Sequence, residues 1–119
     1  MSRGGRLAGE VGSAWEELLA SGTEVSPVPC DVGNADDVGG LMGAVVGPWH
    51  TNCVRIGGVM HLAGVLGEGM MSNVTRRGLE IVFGAKVFGA VNLRVALKAI
   101  VMDFFVLYSS VSAMLGSFG

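Results

Sequence analysis

The chain predicts an α/β fold with parallel strands, and three observations predict it. Apolar residues at helical spacing alternate with short runs rich in β-branched and aromatic residues. The stretches between successive strand-like runs are long enough for helical crossovers, which parallel strands need and hairpins do not. Residues with chemistry in them gather directly after each strand-like run, where ligands bind in sheets of this kind.

Taken in order, the first element is a helix from about Val11 to Leu19, with Val11, Ala14, Trp15, Leu18 and Leu19 on one face and Gly22 placed as its C-cap glycine. Thr23 to Pro29 is short and β-inclined; Pro27 and Pro29 cannot donate ladder hydrogen bonds, so an edge strand is expected. Asp31 to Asn34 forms a loop. From an Asn34 cap, Val38, Leu41, Met42, Val45 and Val46 repeat as an amphipathic helix does, and Pro48 ends it. Arg55 to Ala63 is a continuous apolar run suited to a strand buried on both faces. Ser72 or Asn73 opens a long helix reaching about Ala99, and Asp103 to Tyr108 is the last strand. Gly39, Gly40 and Gly43 fall inside a helical pattern, where each costs about 1 kcal/mol relative to alanine. They reflect either close helix-to-sheet packing or a compositional bias.

Composition narrows the function classes. With 119 residues, 50% of them hydrophobic, and a net charge of −2, one core is expected. Eight Lys and Arg against ten Asp and Glu, with no basic stripe, give no electrostatic footprint for nucleic acid. Cys30 and Cys53 show no Cys-x-x-Cys spacing, so neither a metal site nor a disulfide framework is indicated, and reduced thiols in a cytoplasmic setting are expected. Lys98 and Asp103 interrupt the longest apolar candidate before it reaches the roughly 18 residues of a membrane span. Residues 1–6 lack an apolar signal core.

Three places meet the description of a ligand site: Cys30-Asp31-Val32, His61-Leu-Ala-Gly64 and Ser109-Ser110. Each also has a plain reading. Asp31 serves as a turn residue, His61 as a core histidine with its hydrogen bonds satisfied, and the serine pair as the start of a loop.

Together these segments resemble the ketoreductase domain of type I polyketide synthases and animal-type fatty acid synthases, a branch of the short-chain dehydrogenase/reductases. Ser2-Arg-Gly-Gly5 looks like the turn after the family's second strand, and Cys30-Asp31-Val32 like its adenine-side aspartate motif. Gly57-Gly-Val-Met-His-Leu-Ala-Gly-Val65 resembles its fourth strand and turn, Ala85-Lys86-Val-Phe-Gly89-Ala90 the helix carrying its lysine, and Asp103-Phe-Phe-Val-Leu-Tyr-Ser-Ser110 its fifth strand. The resemblance implies a partial doubly wound, Rossmann-like parallel sheet supplying the equivalents of strands 3, 4 and 5 with crossover helices. Residues 1–119 would then be an incomplete domain, with the glycine-rich loop unit preceding Ser2 and the tyrosine helix following Gly119. A mean hydropathy of +0.57 suits such a piece of a larger body.

The resemblance further implies an NADPH-dependent reduction of a β-ketoacyl thioester carried on an acyl carrier protein, alongside other synthase domains and away from nucleic acid and membrane. Ser110 would hydrogen-bond the substrate oxygen, and Lys86 would stabilise the phenolate of a tyrosine whose ordinary pKa is about 10. Arg3 would meet the ribose 2′-phosphate, Asp31 and Val32 the adenine, and Ala63 and Gly64 the nicotinamide ribose, with Lys86 also among the cofactor-binding residues. Leu66-Gly-Glu68 departs from the Leu-Asp-Asp of one stereochemical class, leaving the direction of hydride delivery open. The alternative expectation is a noncatalytic remnant that packs against other synthase domains.

Overall fold

The computed structural model describes residues 12–46, 55–67 and 71–116. The chain divides into two compact units, Met1–Cys30 and Asp31–Gly119.

In the first unit, helix α1 spans Gly12–Ala20. It ends as the sequence predicts: Ser21 N donates to Glu17 O at 3.0 Å, Gly22 N to Leu19 O at 3.1 Å, and Gly22 takes the left-handed φ of 79° that favours glycine. Of the predicted apolar face, Trp15 is half-buried, while Leu18 and Leu19 are exposed. The strand expected over 23–29 does not form; only Pro29 makes an isolated bridge. Two prolines in seven residues remove donors that a ladder requires, and this outweighs the β-inclination of Thr23, Val25 and Val28.

The second unit is built on a two-stranded parallel sheet. Strand β1 (Gly58–His61) pairs with β2 (Phe104–Leu107) in the register Gly58↔Phe104 to His61↔Leu107. Helix α2 (Ala35–Val46) precedes β1, and its cap is the predicted one, with Asp36 N donating to Asn34 Oδ1 at 2.9 Å. Val38 and Leu41 are buried, Met42 and Val45 half-buried, and Val46 is exposed.

The long helix expected from Ser72 or Asn73 starts later and is not uniform. After a single 3-10 turn at Met71–Asn73, helix α3 (Arg76–Phe83) is capped by Thr75, whose hydroxyl accepts from Gly78 N at 3.1 Å. A π-helical turn over Gly84–Phe88 then widens the ladder before helix α4 (Gly89–Ala96) resumes it. A short helix α5 (Ser112–Leu115) follows β2.

Helices α2 and α4 are in contact, and Val38 and Leu41 of α2, Leu93 of α4 and Leu97 just after it are buried, the last two at 1% and 0% exposure. Full burial of such side chains is worth about 1.5–3 kcal/mol each, enough to fix α4 in place. The strands are not buried on both faces as the apolar run suggested: Met60, Phe104 and Leu107 are 44–56% exposed. Among the described residues the sheet has two strands, and α4 comes against it at His61, where a Cβ on Gly89 would stand 3.0 Å from His61 Cε1. The predicted α/β class stands, with a parallel pair joined by a helical crossover.

Candidate active site

The loop from Asp31 to Asn34 is pinned from several directions. Gly33 N donates to Asp31 Oδ1 at 3.0 Å and Asn34 N to Asp31 O at 2.9 Å, a turn that Asp favours by bonding its own backbone two residues on. Asp31 N donates to Asp37 Oδ2 at 3.0 Å, tying the loop to the first turn of α2. Val32 is buried, and its carbonyl accepts from Asn92 Nδ2 on α4 at 3.0 Å. Gly33 lies against the π turn so closely that a Cβ there would stand 2.9 Å from Gly84 O.

Lys86 sits in the middle of that π turn. Gly89 N is shared between Gly84 O and Lys86 O, and Lys86 O is also 3.3 Å from Nε2 of buried His61. Wide turns of this kind are rare and often mark functional sites. The exposed Lys86 side chain runs toward Gly64, where a Cβ would come 3.1 Å from Lys86 Cε. Ala63 beside it is half-buried and Gly64 exposed.

The sixth site residue, Ser110, arrives by strand pairing. Tyr108 N donates to His61 O at 3.1 Å, carrying the parallel pairing beyond the strands themselves. Gly64 and Ser110 each stand three residues past the last rung, His61↔Leu107, at the carboxyl ends of adjacent strands. Ser110 is exposed, just ahead of α5. Ala63, Gly64 and Ser110 therefore follow the carboxyl ends of paired strands, the side that α/β chemistry uses, and Lys86 lies against Gly64, while Asp31 and Val32 follow a segment that forms no strand. Arg3, and Glu68 of the Leu66-Gly-Glu68 segment, lie outside the described residues.

The structure adds Asn92, and gives His61 a contact the sequence did not indicate. Asn92 was detectable as the one amide in the stripe of α4, whereas the His61 contact with Lys86 O spans 25 positions and leaves no local signal. A separate groove of about 310 Å³, lined by Gly67, Asn73, Val74, Thr75, Gly78, Leu79 and Val82, carries no titratable side chain. Among the described residues there is no His, Cys, Asp and Glu cluster fit for a metal, and no helix is long and apolar enough to cross a membrane.

Three comparisons bear on this arrangement. The family described as KR domain matches residues 1–119. The phenolphthiocerol synthesis polyketide synthase type I Pks15/1 of Mycobacterium marinum is 36% identical over 117 residues, 98% of this chain, and polyketide synthase GfsB of Streptomyces halstedii is 31% identical over 119 residues. The chain spans 5% and 2% of the length of these two relatives. Among solved structures, the first ketoreductase of the tylosin polyketide synthase superposes with a TM-score of 0.77 at 34% identity, covering 97% of this chain and 24% of that one. An N-terminal ketoreductase from the macrolactin assembly line superposes with a TM-score of 0.79 at 28% identity, covering 94% and 22%.

Proposed function

Because the chain belongs to the KR domain family, we propose that it supplies part of an NADPH-dependent β-ketoacyl reductase, acting on a β-ketoacyl thioester held by an acyl carrier protein within a polyketide synthase. The observation that carries this reading is the placement of Lys86 against Gly64, with Ser110 at the same depth on the neighbouring strand.

The residues present fit such a cofactor at its two ends. At the adenine end, the Asp31 carboxylate is held by Gly33 N and the Val32 backbone by Asn92, so a planar base would meet a fixed edge. At the nicotinamide end, Ala63 and Gly64 have small side chains or none, and Lys86, lying against Gly64, would bond a ribose hydroxyl. Arg3 is assigned to the 2′-phosphate, a contact favouring NADPH over NADH.

NADPH, when bound, supplies the hydride. Ser110 donates its hydroxyl to the substrate carbonyl oxygen and so holds the carbonyl for attack. The Lys86 ammonium favours the phenolate of a tyrosine after that tyrosine has given its proton to the same oxygen, which is the opposite-charge effect on an acid. Positioned acid catalysis of this type contributes about 10²–10⁴-fold.

The test is NADPH oxidation by the full-length protein with a β-ketoacyl thioester. Ser110→Ala should lower kcat about 10²–10³-fold, as removal of a donor to a developing oxyanion does elsewhere. Lys86→Met should lower kcat as well, and turnover by both variants at the wild-type rate would refute the roles.

A further inference from the structure

His61 is the buried polar side chain of the described residues, at 6% exposure, and its surroundings are specific. Its Nε2 is 3.3 Å from Lys86 O. A carbonyl can only accept, so Nε2 carries the proton and donates it. This bond falls at the π turn, where Lys86 O also accepts from Gly89 N, an amide shared with Gly84 O. The ring can come this near because residue 89 is glycine: a Cβ there would stand 3.0 Å from His61 Cε1, 3.3 Å from Nε2 and 2.8 Å from Val32 Cγ2.

The backbone of the same residue does a second job. His61 O accepts from Tyr108 N at 3.1 Å, two residues before Ser110. One residue therefore joins the turn that carries Lys86 to the segment that leads to Ser110, and its own strand continues into Ala63 and Gly64. We infer that His61 is the positioning residue of Lys86, its ring clamping the π turn against β1 so that the ammonium is held over Gly64. This rests on the reading of Lys86 as the ammonium of a reductase. Distance errors of about 1 Å in such groups cost on the order of 10²-fold in rate, so a clamp of this kind has kinetic consequences.

The test compares two amides in the full-length protein that differ by one methylene. In His61→Gln the side-chain nitrogen reaches the position of Nε2; in His61→Asn it stops short. His61→Asn should speed amide hydrogen exchange over residues 84–90 about tenfold, the effect of one lost buried hydrogen bond. It should also lower kcat about tenfold. His61→Gln should recover most of both losses. On a Lys86→Met background His61→Asn should cost no further kcat, because coupled residues are not additive.

Unchanged exchange in His61→Asn, equal losses in Asn and Gln variants, or an additive loss on the Lys86→Met background would each overturn the clamp. Equal turnover by wild type and Lys86→Met would instead sink the reductase role of Lys86. The exchange result, which needs no substrate, would then decide the His61 tether by itself.

Discussion

Replacing Asn92 by leucine, which is close to it in volume, removes the Nδ2 hydrogen bond to Val32 O and little else. A neutral hydrogen bond is worth about 0.5–1.5 kcal/mol net, and a buried carbonyl left without its donor costs about 1–3 kcal/mol. Val32 is 7% exposed and Asn92 half-buried, so the loss should fall near 1.5 kcal/mol, about tenfold in the equilibrium that keeps the 31–34 loop closed. Two readouts follow. The amides of Gly33 and Asn34, now protected by Asp31, should exchange about tenfold faster. NADPH affinity, measured by isothermal titration of the full-length protein, should fall by up to tenfold, since a ligand that needs the closed loop sees its apparent Kd divided by the closed fraction. Exchange and Kd both within twofold of wild type would refute the reasoning, because Asn92 would then not be what holds the loop.

Three further outcomes follow from the same geometry. Gly33→Ala should cost about 1–3 kcal/mol in thermal unfolding and slow turnover, because its Cβ would meet backbone atoms of Gly84, two residues before Lys86, that cannot swing aside. Gly39→Ala, Gly40→Ala and Gly43→Ala should each raise stability by about 0.5–1 kcal/mol, since a Cβ at each meets nothing within 4 Å; a lowered Tm would show that this face is covered. Arg55→Ala should cost less than about 1 kcal/mol by denaturant titration, because Arg55 and its partner Asp103 are 68% and 58% exposed and water screens the pair.

Helix α2 was legible because its signals agree: the Asn34 cap, the spacing of Val38, Leu41 and Met42, and the acidic first turn of Asp36 and Asp37. Strands β1 and β2 were legible from their apolar runs, though their ends were drawn too wide. The segment 23–29 was misread because β-branched residues and prolines pull in opposite directions, and propensity alone does not say which wins. The three glycines of α2 had two readings, and open space around each favours composition over packing. The π turn was invisible, since Gly84-Ala-Lys-Val-Phe88 is an ordinary helical string, and its neighbours Gly33 and His61 are distant in sequence.

Ala63, Gly64 and Ser110 could be set after strands from the sequence because β1 and β2 form where their apolar runs lie, whereas Asp31 and Val32 follow a segment that forms no strand and Lys86 sits within a helical turn. The bonds that set their distances, from Asn92 and His61, span 60 and 25 positions and appear only once the helices are packed.

The most direct test of the account is isotope transfer from NADPH deuterated at its hydride-donating carbon to a β-ketoacyl thioester, read by mass spectrometry of the product. The account predicts one deuterium at the β-carbon of a β-hydroxyacyl product from the full-length protein, with transfer slowed about 10²-fold or more in Ser110→Ala. A product without deuterium, or equal transfer by wild type and Ser110→Ala, would contradict it.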